Sequence, residues 1–296
     1  MNEPSLLIFG LGYCGRAIAA AMAGFRVCGT TRAGHAGSLP FTAAAPMLAT
    51  ATHLLITAAP GETSRDQRSS DPVLARYGAA IAAAPSLRWI GYLSSTGVYG
   101  DRAGAWVDET TEPRPTSPRA RLRLAAEEEW RRFAGHCAVD LFRLAGIYGP
   151  GRSVLDDLRA GRARRIVKPG QVFSRIHRDD ITRAVAAAMA NAPARGVRVF
   201  NLADDAPAAS AEVIAEGARL LGLAMPPEIP FAAAAATMSP MALSFWADNR
   251  RVANAKTKAA LDLVWRYPSY REGLAAILAE EREQRLAQQG EIGGPR

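Results

Sequence analysis

Three glycines near the start of the sequence have the spacing of a phosphate-binding turn. Gly10, Gly12 and Gly15 follow the apolar run Leu6 to Phe9 and lead into the alanine-rich run Arg16 to Ala23. Between a strand and a helix, the first glycine allows the turn, the second lets the backbone approach a pyrophosphate, and the third lets helix and strand pack closely. The helix N-terminus then offers unpaired N–H groups. Such glycines also occur in ordinary turns, but this context predicts a dinucleotide site.

The end of the second predicted strand indicates which dinucleotide binds. An NAD site of this kind usually carries a carboxylate about 20 residues after the first glycine, where it binds the ribose 2′-hydroxyl. This sequence has Thr30, Thr31 and Arg32 there, at the end of the β-type run Phe25 to Thr30. No acid repels a 2′-phosphate, while two hydroxyls and a guanidinium can bind one. We therefore predict NADP rather than NAD. The alternative is that Arg32 is a solvated loop residue.

A cluster of hydroxyl side chains follows another predicted strand. Ser94, Ser95 and Thr96 come after the buried run Arg88 to Leu93. Because ligands of open α/β sheets bind at the carboxyl ends of the strands, these hydroxyls are expected near the glycine turn. The alternative is a turn in which the hydroxyls bond the local backbone. The strand His53 to Thr57 ends similarly, in the small residues Ala58, Ala59 and Pro60.

Five motifs in one order resemble the extended short-chain dehydrogenase/reductases. They are the glycine loop, SSTGVYG at 94–100, RLAGIYGPGR at 143–152, IHRDDITRAV at 176–185 and FNLADD at 200–205. The resemblance covers nearly the whole chain and is strongest to the NAD(P)-dependent epimerase/dehydratase family, in its atypical branch. It implies an α/β fold, a doubly wound parallel Rossmann sheet with a smaller C-terminal substrate-binding domain. The implied Rossmann domain covers 1–148 plus about 176–204, and the smaller domain about 149–175 plus 205–296.

The resemblance also implies catalytic residues, with one departure. Ser95 matches the residue that hydrogen-bonds the substrate, but the usual Tyr-x-x-x-Lys pair falls on Arg119 and Arg123. An arginine stays protonated and cannot replace a phenol as a proton shuttle, although Arg123 can still donate hydrogen bonds or stabilise an oxyanion. Tyr99 or Tyr148 would have to supply the proton, and both positions are structural aromatics in ordinary members. The predicted catalytic residues are Ser95, Tyr99 and Arg123.

The remaining site residues combine the glycine pattern with the resemblance. The predicted cofactor-binding residues are Gly10, Gly12, Tyr13, Cys14, Gly15, Thr31, Arg32, Ala58, Ala59, Pro60, Ser94 and Ile147. The predicted substrate-binding residues are Thr96, Arg152 and Arg175, where the two arginines would hold an anionic group or lie at the surface. The four histidines lack the paired spacing of a metal site, so no metal is expected.

Composition narrows the class of protein. The chain has 296 residues, a formal net charge of +8 and 26 glycines. Its arginines are scattered and no nucleic-acid motif accompanies them, so we expect a small, anionic substrate rather than nucleic acid. No run of 18 apolar residues predicts a membrane span. The early first strand predicts no leader peptide, and three scattered cysteines predict no disulfide framework, so a cytoplasmic protein is expected.

Two functions from different classes remain open. The first is an NADP-dependent oxidoreductase or epimerase/dehydratase-like enzyme that acts on a polar carbonyl or sugar-type compound. The second is a non-catalytic NADP-binding sensor that has lost the catalytic tyrosine. The resemblance further implies a homodimer through helices at 73–84 and 118–133, where Trp130 and Phe133 suit either a dimer interface or an ordinary core.

Overall fold

The computed structural model describes residues 3–35, 37–61 and 71–292. The strands in these ranges are β1 Ser5–Phe9, β2 Arg26–Thr31, β3 Leu39–Pro40, β4 His53–Ile56, β5 Trp89–Ser95, β6 Trp106–Val107, β7 Ala138–Leu144, β8 Gly146–Tyr148, β9 Arg165–Val167, β10 Arg175–His177, β11 Gly196–Leu202, β12 Glu228–Pro230 and β13 Arg251–Val252. The helices are α1 Tyr13–Ala21, α2 Ala45–Thr50, α3 Pro72–Ala82, α4 Pro118–Arg131, α5 Val154–Arg159, α6 Arg178–Ala190, α7 Ser210–Leu221, α8 Phe231–Ala235, α9 Pro240–Ala247, α10 Ala255–Leu261 and α11 Tyr270–Ile292.

The centre of the molecule is a parallel sheet of seven strands among the described residues. Its order is β11-β7-β5-β4-β1-β2-β3. Every residue of β1 and of β7 is buried, as expected for strands covered on both faces. Side chains from α1 and α6 pack on one face and side chains from α3 and α4 on the other. The predicted doubly wound Rossmann sheet is confirmed.

The strand order reverses at the centre of this sheet. From β1 the chain passes outward to β2 and β3, and then returns to β4 on the other side of β1. The connections on the two sides therefore diverge at the carboxyl ends of β1 and β4. Such a switch point is where open α/β sheets bind their ligands, and the glycine turn after β1 lies directly at it.

Smaller parallel pairs of strands lie outside the central sheet. β8 pairs with β10, β9 with β12, and β6 with β13. Leu155 of α5, Val213 of α7 and Leu274 of α11 share a separate hydrophobic cluster. The boundaries of the smaller domain remain a prediction. No helix in the described part of the chain is both long and apolar enough to span a membrane.

The short stretch between β2 and β4 predicts a brief strand near Met47 and Leu48, and this prediction was wrong. Helix α2 lies there instead, because Pro46 suits the first helical turn and Leu48 packs into the core from that helix. The alanine- and methionine-rich run 231–245 predicts helix, and the structure forms two helices there, α8 and α9. Ser239 caps the second helix by accepting a hydrogen bond from the amide of Ala242, and Pro240 begins it.

Trp130 of α4 lies in the core. It is 0% exposed and its indole N–H donates to the carboxylate of Asp71 at 3.1 Å. Trp130 was expected to lie either in a dimer interface or in an ordinary core, and the structure places it in the core. The homodimer itself remains a prediction.

Candidate active site

The glycine turn has the geometry that a pyrophosphate requires. Gly10 has φ +107, a conformation that disfavours other residues, and a Cβ there would lie 2.6 Å from the Thr57 hydroxyl. A Cβ on Gly15 would overlap the carbonyl oxygen of Gly10. Gly12 has no heavy atom within 4 Å of the position of a Cβ, so its backbone faces open space. Gly10 and Gly15 thus close the turn, and Gly12 leaves room for a ligand.

The first turn of α1 offers its amides to that open space. Its N-cap, Gly12, has no side chain to cap the helix, and no acidic residue lies in the first turn. The first amides of a helix have no partner within the helix and bind anions well. Burial raises the pKa of the Cys14 thiol, so the thiol stays neutral and only the backbone of Cys14 can serve an anion. Cofactor binding by these residues stays a prediction.

Two arginines lie beside Tyr13 at the start of α1. The Tyr13 hydroxyl donates to the carbonyl of Pro150 at 3.0 Å. The Cζ atoms of Arg152 and Arg178 lie 5.6 and 5.2 Å from its ring centroid. Arg152 is therefore placed beside the glycine turn, and it does not line the cavity next to Ser95. Its role in substrate binding stays a prediction, and Arg152 lines a second cavity of about 550 Å³.

The loop after β2 has a different organisation from the one predicted. The Thr31 hydroxyl accepts hydrogen bonds from the amides of Gly34 and His35 at 3.0 and 3.2 Å, and shares one with Ser38 at 2.8 Å. Thr31 therefore shapes the loop instead of facing a phosphate directly. Arg32 is exposed, and no hydrogen bond or ion pair engages it among the described residues.

The small residues after β4 lie next to the glycine turn. The amide of Ala58 donates to the carbonyl of Phe9 at 3.0 Å, which joins the two strand ends at the switch point. Ala59 is exposed and Pro60 is half-buried. This placement suits the predicted contact with a dinucleotide, and the polar residues 62–70 that follow lie outside the described ranges.

The three hydroxyls at the end of β5 have separate roles. The Ser94 hydroxyl is buried and donates at 2.5 Å to Glu127, which forms a buried ion pair with Arg143 at 2.7 Å. The Ser94 hydroxyl is therefore committed to the core, and only the backbone of Ser94 is left for the predicted contact with the cofactor. Thr96 is buried and donates to the carbonyl of Leu144 at 3.3 Å.

Ser95 is the hydroxyl that faces the open cleft. Its Oγ accepts a hydrogen bond from the amide of Gly97 at 3.1 Å and caps the short turn over 96–99. The alternative interpretation, in which these hydroxyls bond the local backbone, is thus correct for this hydrogen bond of Ser95. The hydroxyl proton remains available, and Ser95 lines a cavity of about 490 Å³.

Neither candidate tyrosine is placed to transfer a proton. Tyr99 is 0% exposed, and its hydroxyl donates to Asn201 at 2.7 Å while Arg143 lies 4.8 Å from its ring centroid. The hydroxyl of Tyr148 donates to the carbonyl of Ser269 at 3.3 Å. Burial raises the pKa of both phenols. This arrangement gives no support to the predicted catalytic role of Tyr99, because its phenol is fully buried and its hydroxyl is occupied by Asn201.

Helix α4 brings the two arginines of the altered pair to the same cavity. Ser117 caps the helix by accepting from the amide of Ala120 at 3.2 Å. Nη1 of Arg123 donates to the Tyr92 hydroxyl at 3.1 Å and to the Leu93 carbonyl at 2.9 Å, which fixes the guanidinium behind β5. Arg119 lies one turn earlier and is exposed.

The cavity lies between the sheet and the smaller substructures. It is bounded by the end of β5, the start of α4, the β7–β8 corner with Ile147, the segment before β10, and α9 with the chain after it. Its arginines are Arg119, Arg123, Arg175 and Arg250. Arg250 was not among the predicted site residues. The polar run that contains it was the only signal, and its distance in sequence from Ser95 hid its position.

Arg175 has a carboxylate nearby, as well as backbone partners. Its Nη1 donates to the carbonyls of Phe173 and Ala208 at 2.9 and 3.0 Å. Asp204 is 1% exposed, and burial raises its pKa to about 8, opposed in part by the charge of Arg175. Arg175 lines both this cavity and an adjoining one of about 550 Å³.

His177 and Asp180, from the fourth motif, have structural roles. His177 is buried and accepts a hydrogen bond from the amide of Asp179, which caps α6. Asp180 accepts from the amides of Arg266 and Tyr267 at 2.8 and 2.9 Å. These bonds attach α6 to the chain before α11. No cluster of side chains among the described residues could hold a metal ion.

A comparison with solved structures gives the family. A functionally unknown conserved protein from Silicibacter pomeroyi DSS is 45% identical, with a TM-score of 0.85 over 94% of this chain and 99% of that chain. The two proteins belong to one family. No protein-family model matches the sequence. Protein YeeZ of Escherichia coli (strain K12) is 34% identical over 135 residues, 46% of this chain and 47% of YeeZ, so the match spans about half the length of this curated relative.

More distant structures of this family's fold carry nucleotides. MoeE5 in complex with UDP-glucuronic acid and NAD is 23% identical, with a TM-score of 0.73 over 94% of this chain and 99% of that one. Human epimerase family protein SDR39U1 with NADPH is 17% identical, with a TM-score of 0.72 over 92% and 98%. At these identities the likeness shows the fold alone, the doubly wound Rossmann sheet that the motif order implied. Assignment to the atypical branch remains a prediction.

Proposed function

We propose that this chain is an NAD(P)-dependent oxidoreductase of the epimerase/dehydratase type, acting on a polar carbonyl or sugar-type small molecule. One observation carries the proposal. The glycine turn, the end of β4 and Ser95 stand on three adjacent strands, and Ser95 opens into the 490 Å³ cavity. A dinucleotide on the turn and a substrate in the cavity would therefore meet at one edge of the sheet.

NADP is the proposed cofactor, in preference to NAD. The end of β2 carries no carboxylate, and the exposed Arg32 is available to a 2′-phosphate. SDR39U1 was solved with NADPH and MoeE5 with NAD, so structures of this fold accept either. When bound, the nicotinamide would supply or accept a hydride.

The residues of the chain would orient the substrate and stabilise charge. The Ser95 hydroxyl accepts the Gly97 amide and is left to donate to a substrate oxygen. A guanidinium on the wall, such as that of Arg119 or Arg123, would stabilise negative charge on that oxygen without giving up a proton. The proposed site thus relies on electrostatic stabilisation, since the phenols of Tyr99 and Tyr148 are occupied.

The first test separates hydride transfer from cofactor binding. We expect Ser95→Ala to reduce turnover of a carbonyl substrate by about a hundredfold, with no change in the Kd of NADPH. Ser94→Ala is the matched control, because the neighbouring hydroxyl points into the core and its loss should leave turnover intact. Turnover is followed by nicotinamide absorbance, and the Kd by nicotinamide fluorescence. Equal turnover in wild type and Ser95→Ala would contradict the role of Ser95.

A second function is supported by a specific departure. Arg119 stands where the family resemblance places the catalytic tyrosine, and both nearby tyrosines are buried. A non-catalytic NADP-binding sensor needs the glycine turn but no proton donor. If NADPH binds and no carbonyl compound from a broad panel is turned over, this second function replaces the first.

A further inference from the structure

The cavity next to Ser95 carries an excess of positive charge. Among the described residues that line it there are four guanidiniums and one carboxylate, that of Asp248. Asp248 accepts a hydrogen bond from Nη1 of Arg250 at 3.0 Å and another from the Thr116 hydroxyl at 2.7 Å. The cavity wall therefore lacks carboxylates for three of its four positive charges.

The four guanidiniums differ in how firmly they are held. Arg123 and Arg175 each donate to two oxygens of the surrounding structure, and Asp204 lies near Arg175. Arg119 is exposed and has no hydrogen bond or ion pair with any described residue. Arg250 uses Nη1 for Asp248 and for the carbonyl of Gly100 at 2.9 Å. Arg119 thus has all of its donors left, whereas Arg123, Arg175 and Arg250 each use Nη1 and keep Nε and Nη2.

Arg250 approaches the short turn that follows Ser95. Its Nη2 lies 4.0 Å from the position of a Cβ on Gly97, which is two residues after Ser95. Helix α4 packs on the same turn through Ala120, whose Cβ lies 3.8 Å from that position. Arg119 precedes Ala120 on α4 and lines the same cavity as Ser95 and Arg250.

Arg250 is held where a charged group is poorly hydrated. Its side chain is 17% exposed, and burial lowers its pKa despite the nearby carboxylate of Asp248. A poorly hydrated guanidinium is stabilised by nearby negative charge, and Asp248 is the negative charge already beside Arg250. An anionic ligand at this end of the cavity would add a second negative charge.

Part of the cavity wall is apolar and partly aromatic. Phe245 and Trp246 of α9 line it together with Phe173, whose ring meets that of Trp246 edge-on at 5.1 Å. Phe245 is 60% exposed, and none of the residues of α9 is buried. An exposed aromatic side chain on a cavity wall offers a surface to the apolar part of a ligand.

We propose that this cavity binds an amphipathic anion, with its carboxylate or phosphate held by Arg119 and Arg250 beside Ser95 and its flat apolar part against Phe245 and Trp246. The proposal rests on the proposed function for the carbonyl that Ser95 would bind. The proposed ligand differs from a plain sugar because it carries both a negative charge and an apolar group.

Four probes test the two requirements by calorimetric binding, with and without NADP⁺. Phenylpyruvate carries an aromatic ring, a carbonyl and a carboxylate, while pyruvate lacks the ring and benzyl methyl ketone lacks the charge. Phenyl phosphate replaces the carboxylate by a phosphate and separates these two sources of charge. We expect phenylpyruvate or phenyl phosphate to bind at least about tenfold more tightly than pyruvate and than benzyl methyl ketone.

Exposed variants test the residues without threatening the fold. Arg119→Gln should raise the Kd of phenylpyruvate or phenyl phosphate, whichever binds more tightly to the wild type, about tenfold. The same variant should leave the Kd of benzyl methyl ketone unchanged. Arg121→Gln is the matched control, because Arg121 is exposed on the same helix and does not line the cavity. Phe245→Ala should raise the Kd of phenylpyruvate several-fold and leave the Kd of pyruvate unchanged.

The proposal is overturned if benzyl methyl ketone binds as tightly as the anionic probes, if Arg119→Gln behaves like Arg121→Gln, or if no probe binds up to about 10 mM. These results are independent of the cofactor. If the anionic probes bind as expected but neither NADPH nor NADH binds, the oxidoreductase proposal fails and the assignment of this ligand class stands.

Discussion

At the scale of single residues, one exposed arginine decides the proposed cofactor preference. Arg32 follows β2 and lies on a loop that Thr31 and Ser38 hold together by their hydroxyls. We expect Arg32→Ala to weaken NADPH binding about tenfold, roughly 1.4 kcal/mol, and to leave NADH binding unchanged. The control is Arg26→Ala, since Arg26 is exposed at the other end of the same strand. A fluorescence titration in which both cofactors lose affinity equally would contradict this preference.

A single buried carboxyl gives the protein an unusual pH dependence. Burial raises the pKa of Asp204 to about 8 in the folded protein, against about 4 when unfolded. The folded state therefore holds the proton over this range, and stability falls as pH rises from about 4 to about 8. We expect Asp204→Asn to remove this slope and to be the more stable protein above pH 8. Urea unfolding at several pH values measures the free energy of unfolding of both proteins. The same pH dependence in wild type and Asp204→Asn would contradict the prediction.

At the scale of elements, a buried ion pair connects helix α4 to strand β7. Glu127 is 0% exposed and Arg143 is 2% exposed, and the Ser94 hydroxyl joins them from β5. Removing one charge of a buried pair leaves the other without compensation, so Glu127→Gln should cost about 3 to 5 kcal/mol. Glu128→Gln, on the exposed side of the same helix, should cost under about 1 kcal/mol. Similar urea midpoints for both variants would show that the pair contributes little.

The elements were more predictable than the positions of individual side chains. The pair Asp71-Pro72 predicts an N-cap followed by proline in the first helical turn, and Asp71 does cap α3 by accepting from the amides of Val73 and Leu74. The hydroxyls after β5 were harder to assign, because adjacent residues of a strand point to opposite faces. Ser94 therefore points to Glu127 and Ser95 to the cavity. Only tertiary structure distinguishes a committed hydroxyl from an available one.

The sequence showed that arginines replace the Tyr-x-x-x-Lys pair, but it did not show which distant residues share the cavity with them. Arg119 and Arg123 were found from the resemblance, as the positions of the family's Tyr-x-x-x-Lys pair. Arg250 comes from a segment far away in the chain, and no local pattern indicates that its guanidinium lies beside the turn after Ser95. The surroundings of Tyr99 were missed for the same reason, since its hydroxyl is occupied by Asn201 from a distant strand.

At the scale of the whole molecule, cofactor binding should stabilise the fold. A ligand that binds only the folded state adds about 2.7 kcal/mol at a concentration of 100 Kd. For a chain of this size we expect NADPH to raise the Tm by about 5 to 10 °C. Arg32→Ala should need about ten times more NADPH for the same shift. Thermal scans measure both, and an unchanged Tm at saturating NADPH would argue against a dinucleotide site.

The pairing of β6 with β13 joins Trp106 to Arg251 and Val107 to Val252. Such a contact between distant parts of the chain forms only after β13 has been synthesised. The glycine turn and its neighbouring strands β1, β4 and β5 are synthesised more than 150 residues earlier. Arg250, adjacent to β13, therefore joins the cavity long after Ser95 has left the ribosome. A nascent chain would complete its glycine turn well before it completes the wall of the cavity beside Ser95.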